Sequence, residues 1–324
     1  MSGASQLPVY SPATVSQILS RIYNVIRANY RTQLGLATLP AIAFFVGYGS
    51  LFTIMGSAFL PAILRGKQPP APQAFMVIFV AFLCFMVLYL IALGPFQAAA
   101  SYAGVKADCG IQVTVNEAYG VARGRPAHFI GLMLSLYGIC FGPLLVIEAG
   151  TFGVMATFAA NKMFAPVLMV VFPIAMLLLL VAMILGLIGA LRLSLSFPAA
   201  VFEGLGIPES IKRSWALTRG AAGRIFVVLL VVYAAMYFAM MVVMMLGMVL
   251  AVIGYLVFSS HLAHPTTHMI VILVACGAAV YVALISVFAA CFWTGFATSL
   301  SVIYNDQRMR MAPPQSVGPA GAPA

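Results

Sequence analysis

"IFVVLLVVYAAMYFAMMVVMMLGMVLAVIGYLVF", Ile225 to Phe258, is an apolar run that contains no charged residue. A helix that crosses a bilayer needs roughly 20 mostly apolar residues, so this run is long enough to do so. The charge-free stretch continues to Asn305 and is divided by "SSHLAHPTTH", Ser259 to His268, where Pro265 and small polar residues predict a turn. This part of the chain therefore predicts two transmembrane helices.

The composition of the whole chain agrees with this prediction. Of its 324 residues, 64% are hydrophobic and 7% are charged, whereas about a quarter of the residues are charged in an ordinary soluble domain. Six apolar runs indicate membrane spans: about Leu34 to Leu60, Ala74 to Leu93, His128 to Ile147, Pro166 to Leu191, Ile225 to Phe258 and Met269 to Ile303. We predict an all-α polytopic membrane protein with six transmembrane helices.

Basic residues divide unequally between the two sides that six spans define. The side with both termini and the second and fourth connections holds thirteen lysines and arginines, whereas the other holds Arg65, Lys67 and Lys162. The thirteen are Arg21, Arg27, Arg31, Lys106, Arg123, Arg125, Arg192, Lys212, Arg213, Arg219, Arg224, Arg308 and Arg310. Because cytoplasmic loops carry the basic excess, we expect both termini to be cytoplasmic. The net charge of +10 favours anionic lipid headgroups as partners and does not require a nucleic acid partner.

Three short segments on the basic side share one pattern. They read "IYNVIRA" around Arg27, "AYGVARG" around Arg123 and "SWALTRG" around Arg219, and successive arginines are 96 positions apart. An aromatic residue lies four positions before each arginine: Tyr23, Tyr119 and Trp215. We predict a threefold internal repeat with units of about 12–107, 108–205 and 206–310. The alternative is that any six-span protein has basic corners with nearby aromatic residues.

The short segments have the period of amphipathic helices. From Val15 to Arg31 the apolar residues recur at helical spacing and leave the arginines on the opposite stripe. In the third segment Ile211 and Trp215 share one face, while Lys212, Arg213 and Arg219 are predicted to point elsewhere. We predict about three amphipathic helices in the cytoplasmic membrane interface. The predicted lipid-contacting residues are Arg21, Arg27, Arg31, Tyr119, Arg123, Lys212, Arg213, Trp215 and Arg219.

"LSFPAAVFEGLGIPESIKRSWALTRGAAGRIF", Leu195 to Phe226, resembles the hallmark segment of the bacterial glycerophosphoryl diester phosphodiesterase membrane-domain family. "SPATVSQILSRIYNVIRANYR" near the N-terminus and "IYNDQRMR" near the C-terminus resemble the two ends of that family, although Asn305 and Gln307 depart from its pattern. The resemblance implies a six-span module of the inner membrane, found alone or fused to a phosphodiesterase. It implies no activity for the module itself.

The acidic residues do not predict an enzyme. A glycerophosphodiesterase needs a soluble domain in which carboxylates and histidines surround a metal ion. Here the acids are scattered over different connections: Asp108, Glu117, Glu148, Glu203, Glu209 and Asp306. We therefore predict neither phosphodiesterase activity nor a cofactor.

Two residues are candidates for a polar site inside the membrane. Glu148 lies at the end of the third predicted span, where it either forms a proton or cation site or sits hydrated at the outer interface beside Lys162. Arg192 ends the fourth span, and we expect it to reach the headgroups with Glu203 as its partner. His261, His264 and His268 cluster on the outer turn, but no carboxylate is near them in sequence, so we predict no metal site.

Two functions remain open at this point. In the first, residues 1–311 form one non-catalytic membrane domain that organises or binds lipid, or a partner protein that the sequence does not identify, and residues 312–324 form a disordered cytoplasmic tail. In the second, the protein is a small-solute or lipid transporter. Breaks at Gly94-Pro95 and Gly142-Pro143, with Pro173 in the fourth span, would suit the interrupted helices of a transport site. The scarcity of polar groups in the spans favours the first.

Overall fold

The computed structural model describes residues 13–64, 72–160, 164–261 and 267–311, which are almost entirely helical and contain no strand. The helices are α1 (Val15–Ala28), α2 (Tyr30–Leu64), α3 (Pro72–Asp108), α4 (Val115–Gly124), α5 (Pro126–Ala160), α6 (Phe164–Leu193), α7 (Ser196–Glu203), α8 (Ile207–Thr218), α9 (Ala222–His261) and α10 (Thr267–Met311). The predicted tail and the turn that holds His264 lie outside the described residues, as do the side chains of His261 and His268.

Six of these helices are long and apolar enough to cross a bilayer: α2, α3, α5, α6, α9 and α10. Each contains one of the six predicted spans, so the prediction of an all-α multi-pass membrane protein is confirmed. The longest, α10, has 45 residues. At about 1.5 Å per residue it is about 68 Å long, whereas the hydrocarbon core of a bilayer is about 30 Å thick. Part of α10 therefore extends beyond the apolar layer.

The predicted helix breaks at the prolines are wrong. Pro95, Pro143 and Pro173 lie inside α3, α5 and α6, and each helix continues on both sides of its proline. Proline is tolerated inside membrane helices because neighbouring groups satisfy the backbone atoms that it leaves unpaired. The span predicted to end at Leu93 therefore continues as helix to Asp108.

The buried core lies at one end of the long helices. There α1, α4, α7 and α8 pack around residues 96–108 of α3 and 294–311 of α10, and we call this assembly the short-helix layer. In α10, residues 297–307 are buried without interruption. By contrast, the apolar parts of α6 and α9 are mostly exposed, as expected for surfaces that face lipid. Most of the buried side chains thus lie in the short-helix layer, and the buried cluster continues along α3 and α5 to Phe85 and Met133.

Two glycines with left-handed backbone separate α7 and α8 from their neighbours. Gly204, with φ of 66°, ends α7, and Gly220, with φ of 79°, follows α8. Side chains other than glycine rarely adopt this conformation, so glycine permits both turns. Pro208 and Glu209 lie in the first turn of α8, which is where the sequence predicts a helix to begin. The short-helix layer therefore contains one helix, α7, that the sequence alone does not separate from its neighbours.

Candidate membrane-interface site

Helix α8 packs on the end of α6 through a stripe of hydroxyl groups. Ser210, Ser214 and Thr218 are fully buried, and they recur every four residues along α8. The Ser214 hydroxyl donates to the carbonyl oxygen of Arg192 at 2.8 Å and accepts the backbone N–H of Leu195 at 3.1 Å. These bonds satisfy backbone groups that the end of α6 leaves unpaired. The spacing "S-x-x-x-S-x-x-x-T" is the sequence signal that could have identified this buried face.

The opposite stripe of α8 carries Lys212 and Trp215 and ends in Arg219 at the C-cap, and all three residues are exposed. Ile211 lies one turn before Trp215, as predicted, but it is half-buried, whereas Trp215 is exposed together with Lys212 and Arg219, which were expected to point elsewhere. Because residues three and four apart on a helix are neighbours, Lys212 and Arg219 lie on either side of Trp215. Trp215 remains 51% exposed although the layer around it is packed. This arrangement of an aromatic ring between two cations is typical of side chains at a lipid headgroup interface.

Arg192, near the end of α6, contacts Trp215 of this stripe and the end of α8. Its guanidinium carbon lies 5.4 Å from the centre of the Trp215 ring, which is within the range of a cation–π contact. Its Nη1 donates to the carbonyl oxygen of Thr218 at 3.2 Å, so it joins the end of α6 to the end of α8. The predicted partner Glu203 instead accepts two hydrogen bonds from Nε of Arg213, at 3.0 and 2.8 Å. The expectation of an Arg192–Glu203 pair is corrected accordingly.

Helix α1 has the predicted amphipathic period, but its apolar face packs on protein. Ile18, Ile22 and Val25 are buried in a cluster with residues of α9, α10 and the end of α3. These side chains are therefore not free to enter the bilayer, which corrects the expected membrane contact of this face. The face that remains outside carries Arg27 and Tyr23, the latter 62% exposed. Any headgroup contact of α1 would have to come from this polar face.

Helix α4 is held against α2 by a half-buried tyrosine. The hydroxyl of Tyr119 donates to the carbonyl oxygen of Leu36 at 2.7 Å, and burial raises the pKa of Tyr119 to about 12. Ala118 and Ala122 are buried beside it. Arg123, at the end of α4, is exposed and donates to Asn116 at 3.0 Å. Of the residues predicted to contact lipid here, Tyr119 thus bonds within the protein and Arg123 is directed outward.

Two ion pairs join the short helices to the ends of the long ones. Arg21 of α1 pairs with Asp108 at the end of α3, and the Asp108 side chain is only 2% exposed. Asn305 of α10 donates to the same carboxylate at 2.8 Å. Arg213 of α8 pairs with Glu203 at the end of α7, and Glu203 also accepts the hydroxyl of Tyr304 at 2.9 Å. Arg21 and Arg213, both predicted to contact lipid, are therefore engaged inside the protein.

A third acid, Asp306, organises the centre of the layer. Its carboxylate is 4% exposed and pairs with Arg224 at 2.7 Å and with Arg310 at 2.9 Å. The backbone N–H of Ala13 donates to its other oxygen at 3.3 Å, while Arg310 donates to the carbonyl oxygen of Ala13 at 2.8 Å. Asp306 thus fastens the segment before α1 to the ends of α9 and α10. The pair with Arg310 is local, four residues along α10, but nothing in the local sequence indicates the contacts with Arg224 and Ala13, which are far away along the chain.

Three aromatic residues from the ends of the proposed repeat units stack together. The rings of Tyr102 and Phe202 lie 5.8 Å apart and nearly parallel, and the rings of Phe202 and Tyr304 lie 6.3 Å apart. The burial of the short helices also agrees at the 96-residue offset: Ile22, Ala118 and Ser214 are all buried, and Arg27, Arg123 and Arg219 are all exposed. These similarities fit the threefold repeat, which stays a prediction together with its unit boundaries.

The remaining polar candidates do not join this site. Glu148 is exposed on α5, and the suggested partner Lys162 lies outside the described residues. Whether Glu148 is hydrated or faces a pathway therefore stays a prediction. Within the described ranges, no group of three or more His, Cys, Asp or Glu residues is arranged to hold a metal ion. The expected absence of a cofactor likewise stays a prediction.

Comparison with known proteins agrees with the family that the sequence resembles. Residues 167–314 match the model of a family described as the membrane domain of glycerophosphoryl diester phosphodiesterase. The match extends from near the start of α6 to just beyond α10 and includes the whole of α7 and α8. The predicted resemblance is therefore confirmed over this part of the chain. No curated protein and no solved structure matches the chain.

Proposed function

We propose that this protein is a non-catalytic membrane module whose short-helix layer binds anionic lipid headgroups. The observation that carries the proposal is the exposed stripe of Lys212, Trp215 and Arg219 on α8. The stripe is held in place by the hydroxyl face of α8 and by Arg192. Exposed aromatic and basic side chains on a fixed helix are suited to the boundary between acyl chains and headgroups.

The charges of the short-helix layer support the same proposal. In the ion pairs between described residues, Asp108 and Glu203 each pair with one arginine, Arg21 and Arg213, and Asp306 is shared by Arg224 and Arg310. Seven other basic residues of this layer and its margins are exposed and take part in none of these pairs: Arg27, Arg31, Arg123, Arg125, Lys212, Arg219 and Arg308. Each such residue near an anionic leaflet contributes about 1 kcal/mol of attraction. The acids thus stabilise the fold, and the surplus of cations is left to face the membrane.

The proposed orientation places the short-helix layer at the cytoplasmic leaflet of the inner membrane. The support is the excess of basic residues at this end of the helices, together with the usual excess of basic residues in cytoplasmic loops. With α3, α5 and α6 continuous through their prolines, the interrupted-helix argument for a transporter no longer applies. The absence of catalysis is proposed because the matched model describes a membrane domain and the clustered acids are engaged in ion pairs.

Lipid selection at α8 can be measured by fluorescence quenching. The chain has two tryptophans, so Trp293→Phe leaves Trp215 as the only one. This variant is reconstituted into bilayers in which either phosphatidylglycerol or phosphatidylcholine carries bromine on the upper part of its acyl chains. We expect the quenching of Trp215 to show that the fraction of phosphatidylglycerol beside this residue is about fivefold higher than in the bulk bilayer. This enrichment corresponds to roughly 1 kcal/mol of attraction. Adding Lys212→Gln and Arg219→Gln should reduce the enrichment to about one.

The matched control neutralises two other exposed arginines, Arg27 and Arg123, with glutamine. They belong to the same layer but lie on α1 and α4, so the enrichment at Trp215 should change by less than twofold. Equal quenching by the two brominated lipids in the otherwise unchanged protein would refute lipid selection by α8. Equal loss in the α8 variant and in the control would assign the effect to net charge alone and would also refute the proposed stripe.

A further inference from the structure

A polar cavity lies between the α1–α2 corner and the loop that precedes α4. Its volume is about 460 Å³, which falls within the range of ligand pockets in proteins. Besides Ala28 and Val113, the residues that line it have polar or charged side chains: Asn29, Tyr30, Arg31, Thr32, Gln112 and Thr114. No acidic residue is among the described residues that line it. Lys212, Trp215 and Arg219 are not among the residues that line it.

The walls of the cavity are fixed by hydrogen bonds within the protein. The backbone N–H of Asn29 donates to the carbonyl oxygen of Val25 at 3.1 Å and ends α1. The hydroxyl of Thr32 donates to the carbonyl oxygen of Val113 at 3.2 Å, so the start of α2 is tied to the loop before α4. Thr114 caps α4 by accepting the backbone N–H of Glu117 at 3.3 Å. The cavity is therefore formed before any ligand binds.

Arg31 is the cation of this cavity, and its guanidinium is oriented by a neighbour. Its Nε donates to the hydroxyl of Tyr30 at 3.0 Å, and its guanidinium carbon lies 5.7 Å from the centre of the same ring. Its two Nη groups have no hydrogen-bond partner within residues 13–64, 72–160, 164–261 and 267–311. A guanidinium held in this way presents two parallel N–H donors, which match two oxygens of a phosphate group.

We call three exposed, mainly apolar residues that belong to the lining or lie close to it in the chain the margin of the cavity. Tyr30, Leu34 and Ile111 are 50%, 51% and 49% exposed, although they adjoin polar wall residues in the chain. Leu34 lies one turn beyond Tyr30 on α2, at the start of the first span, so this margin continues into the lipid-facing surface. A ligand that places a phosphate at Arg31 and a hydrocarbon chain along α2 would cover both the polar wall and the apolar margin.

We propose that this cavity binds a phosphate group carried by a lipid headgroup, with Arg31 as its bidentate donor. The inference rests on the proposed lipid-binding function and adds a defined site to it. The same chemistry would accept inorganic phosphate, so the apolar margin distinguishes the two sources. The phosphate accepts hydrogen bonds from the Nη groups of Arg31, and the hydroxyl and amide groups of the walls contact its remaining oxygens. The acyl chains of the lipid pack along Leu34.

The test uses the full chain in a neutral detergent after removal of bound lipid. Dihexanoyl phosphatidylglycerol, dihexanoyl phosphatidylcholine and inorganic phosphate are titrated by calorimetry. We expect phosphatidylglycerol to bind at least tenfold more tightly than inorganic phosphate, and Arg31→Gln to weaken it at least tenfold. The matched control is Arg27→Gln, which removes an exposed arginine of the same corner that does not line the cavity, and it should change the affinity less than twofold. Gln112→Trp, which fills the cavity without changing its charge, should also abolish binding.

The outcomes separate the cavity from the function that it refines. Equal losses in the Arg31 and Arg27 variants, or unchanged binding in the Gln112 variant, would overturn the cavity while leaving lipid selection at Trp215 intact. Inorganic phosphate binding as tightly as the lipid would overturn the headgroup assignment. If the Trp215 bilayer assay shows no preference for phosphatidylglycerol, the proposed function itself fails, whatever the calorimetry shows.

Discussion

Replacing Asp306 with asparagine is expected to lower the free energy of unfolding by about 3 kcal/mol. Removing one partner of a buried ion pair costs about 3–5 kcal/mol because a charge remains without compensation, and the partial exposure of Arg224 and Arg310 places this variant at the lower end. The change would also weaken the contact that holds Ala13 to α10. Unfolding in mixed micelles with increasing sodium dodecyl sulfate, followed by tryptophan fluorescence, gives the difference from the unchanged protein.

The control for this variant is Glu209→Gln. Glu209 is an exposed acid in the first turn of α8, where its favourable interaction with the helix dipole is worth less than about 1 kcal/mol. A double-mutant cycle with Arg224→Gln then isolates the pair, and the double variant should be more stable than the sum of the two single effects predicts. If Asp306→Asn costs no more than Glu209→Gln, Asp306 does not organise the short-helix layer as described.

Replacing Gly94 with alanine is expected to destabilise the protein by about 1–3 kcal/mol. A Cβ atom at Gly94 would lie 2.7 Å from the carbonyl oxygen of Phe129 and 3.0 Å from Cα of Ile130. Both are backbone atoms of α5, so α3 and α5 would have to separate. The loss should appear in the same detergent unfolding experiment and should be accompanied by a lower melting temperature.

A second glycine provides a matched control for the contact between α3 and α5. Gly142 also precedes a proline inside a membrane helix, but a Cβ atom added there meets nothing within 4 Å. Because alanine favours the helix by up to about 1 kcal/mol relative to glycine, Gly142→Ala should be neutral or stabilising. Equal destabilisation by the two substitutions would show that the Gly-Pro sequence matters and that the close approach of α3 and α5 does not.

The sequence is sufficient to predict the transmembrane helices because length and hydropathy are local properties. Runs such as Ile225 to Phe258 become single helices, and only their ends differ from the prediction. The helix breaks at Pro95 and Pro143 were predicted wrongly because the preference against proline in helices comes mainly from soluble proteins. In a bilayer an unpaired backbone group is costly enough that the chain keeps its helix and satisfies the freed groups nearby.

The short-helix layer shows what a local pattern does not contain. The period of α1 predicts its apolar face correctly, but period alone cannot show whether protein or lipid covers Ile18 and Ile22. The neighbouring sequence does not distinguish Arg21 and Arg213 from the exposed arginines. Only the fold brings Asp108 and Glu203 close enough to pair with them. The sequence does not reveal the buried face of α8 by hydropathy, because Ser210, Ser214 and Thr218 are small and polar, whereas a buried helix face is usually marked by apolar residues.

The central claim is that the short-helix layer lies at the cytoplasmic leaflet, and Cys109 tests it most directly. This thiol is exposed in the connection between α3 and α4, and tryptic cleavage after Lys106 and Arg123 isolates it in one peptide, residues 107–123. Partial desolvation, with a smaller effect of the Asp108 carboxylate, raises the pKa of Cys109, so labelling becomes faster as the pH rises and the thiolate fraction grows.

Labelling with a membrane-impermeant maleimide distinguishes the two orientations in the unmodified protein. If the short-helix layer is cytoplasmic, the peptide 107–123 is labelled in inside-out membrane vesicles and protected in intact spheroplasts. Labelling is restored when the spheroplasts are opened. Labelling of this peptide in intact spheroplasts would place the short-helix layer on the outer side of the membrane and would contradict the account.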